Sequence, residues 1–192
     1  MRSAGLLVLT YLTGSINFAI VVLRLLGKED PRTLFSGNAG ATNVQRQAGK
    51  GWAALVLLLD VGRAAGLAWL AMALLSAGEV PWIGLALVVG NRFPLFHGLR
   101  GGKGVASYLG FCLPIAPWWA AAACLVWVIV HRIVKLPFIA SFFMVLTLGG
   151  AAIAAGSGRA VSIAGTVATV LLIVFNHREN ILSLVKNGVK IG

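Results

Sequence analysis

Seven long apolar runs account for most of this 192-residue chain. They fall at about residues 3–26, 52–77, 80–95, 105–117, 118–134, 136–155 and 160–176. Because a helix needs about 20 apolar residues to cross a bilayer, the runs predict an all-α integral membrane protein, a compact bundle of about seven transmembrane helices forming a single domain over residues 1–192. The third and fourth runs are short for a full crossing and predict half-helices or tilted ends, with five crossings as the alternative count.

The composition excludes a soluble domain. Hydrophobic residues make up 59% of the chain and charged residues 11%, with a mean hydropathy of +0.92, which is too apolar for a soluble protein. In a soluble chain, 16 Lys and Arg against 5 Asp and Glu would suggest nucleic acid as a partner. Membrane topology explains this excess better, so no nucleic acid partner is expected.

Most of the basic residues fall on one side of the membrane if the chain crosses it seven times. That side holds Arg24, Lys28, Arg32, Arg46, Lys50, Arg92, Arg100, Lys103, Arg132, Lys135, Arg178, Lys186 and Lys190. Arg2 and Arg159 lie on the other side, and Arg63 lies within the second crossing. Because Lys and Arg in short loops mark the cytoplasmic side, the N-terminus is predicted to lie outside and the C-terminus in the cytoplasm.

The first cytoplasmic loop contains a dense set of small hydrogen-bonding residues beside a cation. Residues 36–46 read SGNAGATNVQR and end at Arg46. Glycine lets a backbone approach a ligand closely, exposed N–H groups in such turns bind anions, and arginine can hold a phosphate with two parallel hydrogen bonds. The loop therefore predicts an oxyanion site, with an ordinary polar turn as the alternative.

The second loop repeats this pattern around Lys103. Glycines at positions 98, 101, 102 and 104 surround it, after Phe93 and Pro94. The spacing does not match a nucleotide P-loop, and no strand precedes it. The loop is a weak signal alone, but beside the first loop on the same membrane face it favours a site for a polyanion.

The last apolar run leads into a third polar segment. His177 and Asn180 are three residues apart, which places them on one face of a helix. Both can then reach one ligand, with His177 acting as a base or as a hydrogen-bond donor. The alternative is that His177 only caps its helix.

Two charged residues and two cysteines lie within apolar runs. Asp60 and Arg63 are three residues apart near the middle of the second run. A structural ion pair is favoured over a proton relay, because a lone arginine there costs about 2.5–3.5 kcal/mol. Cys112 and Cys124 have no metal-ligand spacing and are expected in the core.

Several enzyme classes are excluded by missing motifs. No histidine is followed five residues later by the aspartate of His-x-x-x-x-Asp acyltransferases, and neither a paired-carboxylate magnesium motif nor a Lys-x6-Arg-Pro phosphatase signature is present. With five scattered acidic residues, no metal and no cofactor is expected.

The three polar segments resemble, in order and spacing, the motifs of the bacterial acyl-phosphate-dependent glycerol-3-phosphate acyltransferases, the PlsY family. The similarity covers nearly the whole chain. Residues 36–46 are similar to the first motif, Phe93-Pro94 with residues 101–104 to the second, and His177-Arg178 with Asn180-Ile181 to the third. Gly14-Ser15-Ile16 and Asp60 also fit the family.

The resemblance implies a seven-helix enzyme of the bacterial inner membrane with its active site at the cytoplasmic face. The implied reaction of phospholipid biosynthesis moves a fatty acyl group from acyl phosphate to the 1-hydroxyl of glycerol 3-phosphate, giving lysophosphatidic acid and phosphate. The implied partners are acyl phosphate, glycerol 3-phosphate and the lipid bilayer, while the oligomeric state is left open.

The resemblance also implies the site residues. The expected catalytic residues are Ser36, Arg46, Lys103, His177 and Asn180. The expected phosphate-binding residues are Gly37, Asn38, Gly40, Thr42, Asn43, Gly101, Gly102 and Gly104. By this analogy Arg46 and Lys103 neutralise phosphate and stabilise the developing oxyanion, while His177 and Asn180 orient glycerol 3-phosphate.

The chain departs from the family pattern at several positions. Asn91 stands where the family has a histidine, and a histidine appears six residues later at His97. Arg63 replaces a lysine, Asn17 a proline and Ser183 an arginine. Val189-Lys190 follows Gly188, where a glutamate is usual. These departures motivate an alternative function, a non-catalytic membrane paralogue that binds phosphate or lipid ligands. A small transporter is a weaker alternative, because no inverted repeat is visible in the sequence.

Overall fold

The computed structural model of the protein describes residues 2–156 and 158–187, which form ten α-helices, one 3₁₀ turn and no β-strand. The helices are α1 (Arg2–Gly14), α2 (Phe18–Leu25), α3 (Ala41–Ala48), α4 (Lys50–Leu74), α5 (Val80–Arg92), α6 (Val105–Ile115), α7 (Pro117–Val134), α8 (Pro137–Ala155), α9 (Ala160–Asn176) and α10 (Arg178–Asn187), with the turn at Leu95–His97. The predicted all-α class is confirmed, and each of the seven apolar runs is helical. The departures at positions 188–190 lie outside the described residues.

The helices differ in whether they are long enough to cross a bilayer. Within the described residues, four spans meet the length and hydropathy needed, namely α1 with α2, α4, α7 and α8. Helix α9 with α10, bent by 44°, makes a fifth if the bent pair is one span. Helices α5 and α6 have 13 and 11 residues, which at about 1.5 Å per residue is shorter than the hydrocarbon layer. They are the third and fourth runs, where short helices were expected.

Glycines allow the short helices to pack closely against their neighbours. At Gly14 in α1, an added Cβ would lie 2.7 Å from the carbonyl oxygen of Leu87 in α5, and Gly90 faces the same crossing. At Gly110 in α6, an added Cβ would lie 2.7 Å from the Cα of Val61 in α4. Small residues let helix backbones meet in a membrane, so these contacts fix α5 and α6 inside the bundle.

The first apolar run is broken, which the sequence did not indicate. Helix α1 ends at Gly14 and α2 begins at Phe18. The side chain of Asn17 caps α2 by accepting a hydrogen bond from the Ile20 N–H at 3.1 Å. Asn17 thus starts the second half of the span at a position where the family pattern has proline, a residue that also suits the start of a helix.

Arg63 satisfies the backbone at this break. Its Nη1 donates to the carbonyl oxygens of Thr13 at 2.9 Å and Ile16 at 2.5 Å, and its Nη2 donates to Asp60 at 2.8 Å. Unpaired backbone groups are costly in a bilayer, so the guanidinium supplies the donors that the broken helix lacks. The expected ion pair with Asp60 is present, and it also joins α4 to the first span.

Two segments predicted as loops are helical, and one cysteine is not in the core. Helices α3 and α10 are short polar helices that apolar periodicity could not reveal. Cys112 is buried as expected, but the expectation was wrong for Cys124, which is exposed. Helix α7 buries few of its side chains within the described chain, and Cys124 opens onto a cavity between α7 and its neighbouring helices.

We expect Arg63→Leu to destabilise the protein by about 3–5 kcal/mol, because it leaves a buried carboxylate and two carbonyl oxygens without donors. The measurement is reversible chemical unfolding of the detergent-solubilised protein. Arg63→Lys is the matched control and should lose less, since it keeps the charge beside Asp60. Equal stability of the leucine variant and the wild type would contradict this role.

Candidate functional site

A cavity of about 540 Å³ opens where the three polar segments meet at one end of the bundle. Its polar lining includes Ser36, Asn38, Thr42, Gln45, Arg46, Lys50, Asn91, Lys103, His177 and Asn180. From there it continues between α4, α6, α7 and α8, where its lining includes Leu57, Leu109, Trp127, Val128, Phe138 and Met144. One cavity therefore joins a cationic end to an apolar arm.

The structure brings most of the predicted site residues to this cavity. All five residues expected to be catalytic line it: Ser36, Arg46, Lys103, His177 and Asn180. Of the eight expected to bind phosphate, those that line it are Asn38, Gly40, Thr42, Gly102 and Gly104. Within the described chain, the lining does not include Gly37, Asn43 or Gly101, and these three have structural contacts instead.

The buried side chain of Asn43 joins several parts of the first loop by hydrogen bonds. It is 1% exposed, and its Nδ2 donates to the carbonyl oxygens of Pro31 at 3.0 Å and Leu34 at 3.2 Å. Its Oδ1 accepts hydrogen bonds from Ser36 Oγ at 3.1 Å and from Arg46 Nη1 at 3.4 Å. Asn43 is therefore a positioning residue, which holds Ser36 and Arg46 at the cavity.

The glycine N–H groups of both loops are largely used within the protein. Gly101 N–H donates to the Arg92 carbonyl at 3.1 Å, and Gly102 N–H donates to the Asn91 carbonyl at 3.0 Å. In the first loop, Gly37 N–H bonds the carbonyl oxygen of Leu34. The expected anion nest does not form from these donors, because they fix the loops' own shape.

Glycine at position 102 also lets the two loops touch. An added Cβ there would lie 2.7 Å from Asn91 Oδ1 and 2.8 Å from the Ala39 carbonyl oxygen. That same oxygen accepts a hydrogen bond from Asn17 Nδ2 at 3.2 Å. The broken first span, the first loop and the second loop thus meet at Ala39.

Two helix N-termini supply the backbone donors that the loops do not. Helix α3 follows Gly40 and α6 follows Gly104, and the first residues of both helices line the cavity. Glycine has no side chain to cap the first turn, whose N–H groups lack helical partners and carry partial positive charge. Such ends favour an anion, and here Arg46 and Lys103 lie beside them.

Lys103 is the most buried cation of the polar end. Its ammonium group donates to Asn180 Oδ1, and its carbonyl oxygen accepts a hydrogen bond from Asn176 Nδ2 at 3.2 Å. Burial, together with the positive charge of Arg92, lowers the pKa of Lys103 to about 8. The second loop is thus joined to the C-terminal segment, and its lysine lacks a carboxylate partner among the hydrogen bonds and ion pairs found in the described chain.

His177 has one nitrogen committed to its own helix. The residue is 2% exposed, its Nδ1–H donates to the Ile173 carbonyl oxygen at 2.8 Å, and its ring meets Phe142 edge to face with centroids 5.1 Å apart. His177 therefore does cap the last turn of α9, which was the alternative interpretation. It also lines the cavity, so Nε2 is the nitrogen left for a ligand.

Arg32 braces the two loops away from the cavity. Its Nε donates to Asp30 at 2.8 Å, and its Nη1 donates to the carbonyl oxygens of His97 at 2.5 Å and Arg100 at 3.1 Å. The hydrogen bonds from Arg32 lower the pKa of Asp30. His97 lines a separate cleft with these residues, so it does not stand in for a histidine at position 91.

Sequence reasoning missed Gln45, Lys50 and Asn176. Gln45 shares a face of α3 with Thr42 and Arg46, a periodicity that becomes visible once Gly40 is read as a helix N-cap. Lys50 begins α4 beside this helix and carries no comparable signal. Asn176 is buried, and its Nδ2 donates to the carbonyl oxygen of Lys103 at 3.2 Å, a role that its sequence context does not indicate.

These features define a polytopic membrane protein with a cavity that joins a cationic end to an apolar arm. A family model for glycerol-3-phosphate acyltransferase matches residues 4–187, and the chain belongs to that family. It is 43% identical to the glycerol-3-phosphate acyltransferase of Bordetella pertussis, covering 97% of this chain and 90% of the relative. It is 40% identical to that of Laribacter hongkongensis, covering 96% and 94%.

Solved structures agree with this membership. A crystal structure of PlsY, described as an integral membrane glycerol 3-phosphate acyltransferase in its glycerol 3-phosphate form, is similar with a TM-score of 0.89 and 32% identity over 97% of this chain and 93% of that one. Its lysophosphatidic acid form gives a TM-score of 0.87 at 31% identity, with the same coverage. The predicted family is confirmed, and the chain is a multi-pass membrane acyltransferase.

The lowered pKa of Lys103 predicts a pH dependence of anion binding. Lys103 is charged below about pH 8 and neutral above it, so the dissociation constant for methyl phosphate should rise above that pH by up to about tenfold per pH unit. This probe is already dianionic there, because the second pKa of a phosphate monoester is about 6. Titration calorimetry at several pH values measures the effect.

Lys103→Arg is the control for this titration. Arginine stays charged at every pH used, so the rise near pH 8 should disappear from the profile of this variant. A rise that persisted unchanged in Lys103→Arg would assign the titration to another group.

Proposed function

We propose that the protein transfers a fatty acyl group from acyl phosphate to the 1-hydroxyl of glycerol 3-phosphate, producing lysophosphatidic acid and phosphate. The observation that carries this proposal is the continuity of the cavity from its cationic end into its apolar arm. Acyl phosphate and lysophosphatidic acid each combine a phosphate with a long chain, so one cavity of this shape suits donor and product. The similar crystal structures are described as the glycerol 3-phosphate and lysophosphatidic acid forms.

The phosphates are held at the polar end in this proposal. Arg46 and Lys103 neutralise them, and the N-termini of α3 and α6 add backbone donors. Ser36, held by Asn43 at 3.1 Å, contributes a hydroxyl. As the acyl carbon becomes tetrahedral, the same donors stabilise the negative charge that grows on its oxygen.

The acceptor is oriented by the C-terminal segment. His177 presents Nε2, because Nδ1 is bonded to Ile173, and Asn180 reaches the same space through its contact with Lys103. Hydrogen bonds from two fixed side chains can place one hydroxyl of glycerol 3-phosphate toward the acyl carbon. Positioning of this kind lowers the entropic part of the barrier.

The reaction balances without a metal or cofactor. The 1-hydroxyl oxygen of glycerol 3-phosphate attacks the acyl carbon, the bond from that carbon to the phosphate oxygen breaks, and phosphate leaves. A substrate phosphate accepts the hydroxyl proton in this proposal. A limiting pKa of the rate that follows the substrate phosphate, and does not move when His177 is substituted, supports that step.

The orientation in the membrane gives each substrate its own route to the site. In this proposal the acyl chain lies in the apolar arm between α4, α6, α7 and α8. The polar mouth of the cavity lies at the cytoplasmic face of the bacterial inner membrane. The supporting observation is charge, since the loops around the mouth carry most of the basic residues that mark the cytoplasmic side. Glycerol 3-phosphate, a water-soluble anion, can then enter directly.

The non-catalytic alternative is not favoured. The relatives are named as acyltransferases, and all five residues expected to be catalytic line one cavity. The departure at Asn91 removes a titratable group from the lining but leaves its cations in place.

We expect Arg46→Ala to lower the transfer rate at least about a hundredfold, because it removes a charged donor from the developing oxyanion. The assay measures phosphate release from palmitoyl phosphate by the purified protein, with and without glycerol 3-phosphate. Arg46 is exposed, so the variant should fold normally. Palmitoyl coenzyme A as sole donor should give no product.

Arg132→Ala is the matched control, since Arg132 is an exposed cation that does not belong to the lining found for the cavity. It should retain the wild-type rate. Wild-type turnover in Arg46→Ala would refute the site assignment. No release by the folded wild-type protein would refute the activity itself and leave the phosphate-binding alternative.

Asn91→His tests the departure in the second motif. We expect the transfer rate to stay equal or to rise, because the side chain lies at the cavity and histidine restores the family residue. The measurement is kcat/KM for glycerol 3-phosphate. A large drop in kcat/KM would contradict this expectation. It would indicate that the packing between position 91 and the second loop requires the shorter side chain of asparagine.

A further inference from the structure

A second cavity of about 310 Å³ lies at the opposite end of the bundle from the candidate site. It is enclosed by the ends of α4, α6 and α8 and by the starts of α5 and α9. Exposed residues at its rim include Met72, Ala77 and Ala155, while Phe111 and Cys112 are buried in its wall. The cavity thus opens at the ends of these helices, beside exposed apolar side chains.

Two hydroxyl groups in this cavity are buried and have no hydrogen-bond partner among the described residues. Ser162 and Thr166, one turn apart on α9, are each 1% exposed, and neither hydroxyl has a hydrogen bond within the described part of the chain. Tyr108 adds a third hydroxyl, beside the thiol of Cys112, which is a weak partner. Burying a hydroxyl without a hydrogen bond is unfavourable in free energy. We therefore expect a bound molecule in the cavity that makes hydrogen bonds with these groups.

Other hydroxyls in the same bundle show the usual solution. The side chains of Thr13, Ser141, Thr147 and Thr169 each donate to the carbonyl oxygen four residues earlier, at 2.8–2.9 Å. Thr169 lines the same cavity, one turn beyond Thr166. The hydroxyls of Ser162 and Thr166 therefore differ from that of Thr169 in being open to a ligand.

The chemistry of the lining selects a neutral ligand. Within the described chain no charged side chain lines the cavity, and its walls include the apolar side chains Met72, Leu75, Phe111 and Ile115. Hydroxyls both donate and accept hydrogen bonds, so they suit an alcohol or an ester. An ion would lose its hydration there without gaining a counter-charge.

We propose that this cavity binds one neutral, hydroxyl-bearing lipid of the monoacylglycerol type. Its glycerol hydroxyls exchange hydrogen bonds with Ser162 and Thr166, and its alkyl chain leaves past the exposed Met72 toward the membrane. The site is separate from the acyl-transfer cavity and does not depend on the proposed function. Ordered water is the rival occupant, since polar cavities often hold it.

The test measures binding of monopalmitoylglycerol by native mass spectrometry of the full chain. An amine-oxide detergent is used, because it has no hydroxyl groups to compete. The acyl-transfer cavity also suits an acylglycerol, so the second site is scored as the molecule that the wild type retains and the double variant loses. We expect one such molecule, and discrimination against methyl palmitate, which lacks the glycerol hydroxyls. The double variant Ser162→Ala, Thr166→Val should bind about thirtyfold more weakly, since two hydrogen bonds are lost.

Thr169→Val is the matched control, because it removes a hydroxyl of the same cavity that is already bonded to Gly165 at 2.8 Å. It should bind as the wild type does. If the double variant fails to fold, Ser162→Ala alone should weaken binding about fivefold. The acyl-transfer rate should be unchanged in every folded variant, because these residues lie far from the catalytic cavity.

Several outcomes would overturn the proposal. One is the absence of retained monopalmitoylglycerol on the folded wild type, which would leave water as the occupant. Another is equal binding by the wild type and the folded double variant. Equal retention of methyl palmitate would show that only the apolar wall recognises the lipid.

Discussion

The break in the first membrane span controls much of this structure. A helix that stops between Gly14 and Phe18 exposes backbone carbonyl groups in a region without water, where each must find a donor. Arg63 provides two of those donors and is itself neutralised by Asp60 at 2.8 Å. The buried guanidinium of Arg63 and the unpaired carbonyl oxygens of the broken helix would each be unfavourable alone. The hydrogen bonds between them satisfy both.

The consequences of the break extend to the candidate site. Asn17, which restarts the helix, donates to the Ala39 carbonyl oxygen at 3.2 Å, and the glycine at position 102 packs against that same oxygen. The first and second loops are thus positioned relative to a point inside the bundle. This explains how two glycine-rich segments can hold a defined shape at the membrane surface, where glycine by itself favours disorder.

The basic residues around the candidate site differ in how many protein oxygens they contact. Arg32 uses its guanidinium on protein oxygens and braces the loops. Arg46 is exposed and contacts Asn43 at 3.4 Å, while Lys103 is partly buried with the amide of Asn180 as its partner. A lysine whose pKa is lowered by burial is poised to gain from an arriving anion, because the anion replaces the hydration that the protein removed.

The sequence by itself determined the helical membrane class, the short third and fourth helices, the family and the five residues gathered at the cavity. Hydrophobic run length and motif spacing carry that information locally. Only the tertiary structure decided that the first run is broken, that Gly101 and Asn43 serve the loops, and that His177 both caps its helix and faces the cavity. The same holds for the hydroxyls of Ser162 and Thr166, which have no hydrogen bond within the described residues. These outcomes depend on which donor meets which acceptor across the bundle, and such partners are far apart in the chain and leave no local pattern.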